Sequence, residues 1–100
     1  MKLTGLEPAW LSPDVLVFRS PAGHGDLITA KRVPMARDDQ YALIYEKNPQ
    51  YVGRTVVMTR PDQIWRFEGE SFEDLTLYPS VDHSASGNWH GFITSGECTP

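Results

Sequence analysis

The stretch Thr76-Leu77-Tyr78-Pro79-Ser80-Val81, followed after a polar gap by Trp89-His90-Gly91-Phe92-Ile93, decides how this chain is read. Each run has the residue types of a strand, and the gap from Asp82 to Asn88 is rich in turn formers, so the two runs predict a β-hairpin. Side chains two residues apart on a strand share a face. If Asp82 pairs with His90, then Ser80 and His90 become diagonal neighbours on one face, about 7–8 Å apart at the backbone. A slip of one residue would send them to opposite faces. The expected Ser–His contact depends on that register.

Working outward, Asp14 to Phe18 reads as a strand, Ser20 to Asp26 as a tight turn, and Leu27 to Val33 as the returning strand ended by Pro34. This first hairpin carries His24 near its tip. Leu3 to Pro13, with two prolines, reads as an extended lead-in anchored by Trp10. Ala36 to Lys47 fits either a helical face, with Asp38 and Asp39 in its first turn, or a strand from Tyr41 to Glu46. The strand is the reading adopted. Arg54 to Arg60 and Gln63 to Phe67 are further strands, with turns at Pro61-Asp62 and Glu68 to Ser71, and Ser95-Gly96-Glu97 turns the chain toward a short tail. The expected fold is one domain over residues 1–100, mainly β. It would be a small antiparallel sandwich or open barrel of about six or seven short strands, with room for one short helix.

Composition narrows the function classes. The formal charge is −4 and Lys31-Arg32 is the only adjacent basic pair, so the chain lacks the basic stripe that phosphate backbones require. A protein or peptide partner is expected, and nucleic acid is not. Cys98 is the single cysteine, which precludes an internal disulfide and suits a cytosolic setting. No run approaches a membrane span, and Met1 to Gly5 is followed too soon by Glu7-Pro8 for a signal peptide. The expected home is the cytosol of a cell, or of an infected one.

The second half resembles a family of small proteins from phage and prophage genomes and from bacterial operons for ubiquitin-like conjugation. The family pattern is a Trp, a Gly-containing turn, Thr-Leu-x-Pro-Ser-Ile/Val, a loop, then a His with aromatic neighbours leading to an Ile and a Gly. Here those places are Trp65, Gly69, Thr76 to Val81, Trp89-His90-Gly91-Phe92-Ile93 and Gly96. Many members also carry Cys-Pro-Cys-Gly-Cys-Gly after the first strand. This chain has Ser20-Pro21-Ala22-Gly23-His24-Gly25, keeping the proline and both glycines without the thiols. The resemblance implies a serine peptidase that releases ubiquitin-like proteins, with Ser80 as nucleophile and His90 as base, and a role in antiviral defence.

The chemistry suits those residue types, because a serine hydroxyl needs a neighbouring base and histidine is the usual one near neutral pH. Seven serines and three histidines leave composition unable to single out any pair; only the motif does so. Asp82 is one candidate to orient His90, with Glu97, Asp74 and Glu73 as others. Oxyanion donors could come from the amides of Ser80 or Val81, or from the Gly87-Asn88 loop. His24, Trp89 and Asn88 are the candidate substrate-binding residues, Trp89 as one wall of a groove for an extended peptide tail. No Gly-x-Ser-x-Gly elbow is present.

Blander readings stand beside these. Ser80 could be a strand-start serine bonded to nearby backbone, and His90 a satisfied strand histidine. His24, His83, His90 and Cys98 could be assembled into a zinc quartet, but no Cys-x-x-Cys or His-x-x-x-His unit supports one, so no metal and no cofactor are expected. The alternative in another class is a non-catalytic protein-binding module of the same fold.

Overall fold

The computed structural model describes residues 1–22, 25–57, 59–82 and 89–100. Its centre is the antiparallel pair of β2 (Val15–Arg19) and β3 (Leu27–Lys31), in the register Val15↔Lys31 to Arg19↔Leu27. Alternation along this ribbon serves two cores at once. Val15, Val17 and Leu27 join one apolar cluster, while Leu16, Phe18, Ile28 and Ala30 join the other. A ribbon covered on both faces needs a continuous apolar run, which Val15-Leu16-Val17-Phe18 provides. Full burial of each large side chain contributes about 1.5–3 kcal/mol.

β1 (Ala9–Ser12) flanks β2, and β4 (Val56–Val57) flanks β3 in parallel, giving a four-stranded sheet. The expected lead-in is thus a 3-10 turn at Leu3–Gly5 followed by a strand, and the anchor inside it is Leu11. Trp10 faces outward. The expected strand from Arg54 to Arg60 reduces to Val56–Val57, with Met58 outside the described residues.

The strand expected from Tyr41 to Glu46 is instead a helix, α1 (Arg37–Lys47). Its inward positions are Gln40 and Ile44, four residues apart. Gln40 occupies a place where an apolar residue would have exposed the helical period. Its amide is satisfied in the interior: Oε1 accepts from the Thr29 hydroxyl at 2.9 Å, and Nε2 donates to the Met35 and Thr59 carbonyls at 3.1 Å each. Asp38 and Asp39 in the first turn and Lys47 in the last complement the helix dipole.

Beside Gln40 lies Lys31, fully buried at the end of β3. Its ammonium donates to Thr59 Oγ1, the Arg60 carbonyl and the Gln63 carbonyl, each at 2.7 Å. Burial lowers its pKa, partly opposed by the Asp62 charge.

The remaining strands form two open ribbons against the second core. β5 (Arg66–Glu68) pairs with β6 (Thr76–Tyr78), and β7 (Val81–Asp82), β8 (His90–Thr94) and β9 (Glu97–Thr99) form a three-stranded antiparallel sheet. The run Thr76 to Val81, expected as one strand, is divided at the cis Tyr78–Pro79 bond and changes partner there. Before it, Tyr78 pairs with Arg66; after it, Val81 pairs with Gly91. Ser95 and Gly96, at φ 48 and 77, close the β8–β9 hairpin with a two-residue turn. The protein is mainly β, with nine short strands among the described residues, one helix, and no sheet closed into a barrel. No helix among these residues is long and apolar enough to cross a membrane.

Candidate active site

β8 alternates between solvent and core: His90, Phe92 and Thr94 are exposed, Gly91 and Ile93 buried. β7 matches it, with Val81 buried opposite Gly91 and Asp82 exposed opposite His90. Ser80 precedes Val81 and falls on the outer face with Asp82. Its Oγ lies 3.5 Å from His90 Nε2. That is the outer limit of a hydrogen bond, and nucleophile–base pairs often stand this long before substrate binds. Ser80 is half-buried and His90 exposed, so solvent reaches the pair.

Ser80 is held from below. Trp65, only 2% exposed, donates its indole N–H to the Ser80 carbonyl at 3.3 Å. In the sequence Trp65 enters only as the first position of the family pattern, with no role assigned to its indole N–H. The signal for more was that the chain returns from Trp65 to Ser80 through the β5–β6 hairpin. Gly91 fixes the other strand. A Cβ there would collide with the Thr99 carbonyl oxygen and with the Trp89 indole, so only glycine fits between them.

The four acidic candidates separate clearly. Asp82 is the direct cross-strand neighbour of His90, a position whose Cβ atoms stand about 4.5–5.5 Å apart. Glu97 pairs with Thr94, four residues along β8 from His90 and roughly 13 Å away. Asp74 accepts from the Ser71 amide and hydroxyl, both at 3.0 Å, which hold its carboxyl below the usual range. The Glu73 carbonyl lies against Gly96 in the β8–β9 turn. Of the four, only Asp82 shares the strand pair of His90.

Trp89 is half-buried and packs on the core side of β8, over Gly91, on the face opposite His90. His24, the Gly87-Asn88 pair and His83 lie outside the described residues. Phe92, 50% exposed, shares the outer face of β8 with His90, while Tyr78, 48% exposed, lies on β6 with the Arg66 guanidinium 4.8 Å over its ring.

No protein-family model matches the chain, and no curated protein or solved structure matches it. The chemistry of the site therefore rests on its own residues. Among the described residues no three His, Cys, Asp or Glu side chains gather as a metal site requires. Cys98 faces the core opposite Ile93, and burial pushes its thiol up to about 11, away from the thiolate a metal would need.

Proposed function

We propose that the protein is a serine hydrolase in which Ser80 Oγ attacks an acyl carbon while His90 Nε2 accepts the hydroxyl proton. The bond from the carbonyl carbon to the leaving amine or alcohol breaks, and His90 returns the proton to that group. Water then attacks the acyl-serine by the same exchange, restoring the hydroxyl and releasing the acid. Asp82 stands where a carboxylate offsets the charge on the imidazolium. The observation that carries this reading is the 3.5 Å approach of Ser80 Oγ to His90 Nε2 on an exposed sheet face. The substrate class, the C-terminal end of a ubiquitin-like modifier, is supported by the motif resemblance in Thr76 to Val81 and Trp89 to Gly96.

The test is covalent labelling by a fluorophosphonate together with hydrolysis of an activated ester. The unaltered chain labels at Ser80, and Ser80→Ala loses the label and about 10⁶ of the turnover. Equal hydrolysis by both proteins would remove Ser80 from the chemistry. A second reading, a non-catalytic protein-binding module, is favoured by the half-exposed ring of Phe92 on the face of His90 and by that of Tyr78 on β6. It predicts no labelling of Ser80 at any concentration.

A further inference from the structure

Away from that face, a cavity of about 510 Å³ opens among Trp10, Ser12, Pro13, Arg32, Phe67 and Gly69. This is the size of small-molecule sites. Its aromatic surface is fixed in place. Trp10 is 40% exposed, yet Phe72 stacks on it at 5.4 Å and 21°, and Phe67 meets it at 5.8 Å and 47°. Phe72 lies outside the cavity wall, so it holds the indole without filling the space.

Arg32 is equally constrained. Its Nε donates to Asp14 Oδ1 and its Nη2 to the Pro13 carbonyl, both at 2.8 Å, and its guanidinium lies 5.6 Å over the Phe67 ring. Nε and Nη2 make up one edge of the guanidinium fork. The other edge, Nη1 with the second Nη2 N–H, has no hydrogen-bond partner among the described residues. It presents two parallel donors on a rigid plane, the geometry that a carboxylate matches with two bonds.

We propose that this cavity binds an aromatic carboxylate, its ring against Trp10 and Phe67 and its carboxylate on the outer edge of Arg32. The ion pair with Asp14, at 2.8 Å, already offsets one unit of charge, so the site favours a single carboxylate over a phosphate dianion. Such a group could come from a free aryl acid or from the C-terminal aromatic residue of a peptide.

The experiment titrates the ¹⁵N-labelled protein with 3-phenylpropionate and with 3-phenylpropionamide, following the Trp10 indole N–H. The acid shifts that signal saturably in the millimolar range expected for a small ligand. The amide binds roughly tenfold more weakly or worse, having lost the charge-assisted bonds. Arg32→Met removes the difference between acid and amide, with its own spectrum reporting that it is folded. N-acetylphenylalanine binding more tightly than 3-phenylpropionate identifies a peptide C-terminus as the source; weaker binding identifies a free acid. A Trp10 signal unmoved by the acid, or acid and amide binding alike to the unaltered chain, overturns the proposal without reliance on any variant.

Discussion

The buried indole of Trp65 donates its N–H to the carbonyl of Ser80, so the core of the β5–β6 side sets the height of the candidate nucleophile. Trp65→Phe keeps most of the apolar volume and deletes the donor. Leaving a carbonyl unpaired costs about 1–3 kcal/mol when it is fully buried, and less at the half-buried Ser80. The expected kinetic signature is a fall in kcat with little change in KM. A drop confined to KM would mean that Trp65 does not position Ser80.

Asp82 faces solvent opposite His90, and exposed charge pairs contribute about 1 kcal/mol or less. Asp82→Asn should therefore lower kcat/KM by no more than roughly fivefold, and added salt should narrow the gap further. A loss of several orders of magnitude would show that Asp82 is held far more tightly than its exposure indicates.

Gly91→Ala places a methyl group against the Thr99 carbonyl and the Trp89 ring. Overpacking of this kind costs about 1–3 kcal/mol. The urea midpoint should fall, and the Trp89 signal should shift even in variant protein that remains folded. An unchanged midpoint would contradict the close packing of β8 on β9.

Lys31→Met strips a buried ammonium from the Arg60 and Gln63 carbonyls and from Thr59 Oγ1. The Gln63 carbonyl loses this donor while the Arg60 carbonyl keeps the Gln63 amide, so the variant should be destabilised by about 1–3 kcal/mol in urea titration. A neutral effect would require another donor to reach the Gln63 oxygen.

Cys98 gives a pH signature. Its thiol stands near 11 when folded, raised by burial from an ordinary 9.0. Between those values the unfolded chain releases the thiol proton while the folded chain keeps it. The unfolded state then binds fewer protons, and stability falls as pH rises through that window. Cys98→Ala should flatten this slope, measured as denaturation midpoints below and inside the window. The native thiol should also resist alkylation until the protein unfolds.

The central hairpin was legible because Val15 to Phe18 are four apolar residues in succession, a pattern that demands cover on both faces. The β7–β8 register was open in the sequence, where the pairing of Asp82 with His90 is only a condition, because the apolar Phe92 shares the outer face with His90 and blurs the alternation; Val81 and Gly91 turn inward while Asp82 and His90 turn out. The helix was hidden because one of its two buried positions is Gln40, whose burial is stabilised by hydrogen bonds that composition cannot display. Alternation along β1 puts Leu11 inside and leaves Trp10 at the rim against Phe67 and Phe72, so side-chain size alone does not tell which residue the core takes. A proline before Ser80 fixes its own backbone, but the change of strand partner at that point depends on where β8 lies, and no local signal carries that.

The ammonium of Lys31 has one more consequence. It gathers carbonyls from a segment, 59–63, that belongs to no strand or helix, while the Gln63 amide donates to the Arg60 carbonyl and the Trp65 amide to the Lys31 carbonyl. In deuterated water these two irregular amides should exchange as slowly as those of the central ribbon. A stretch with the outline of a loop would then have the permanence of the core beneath it.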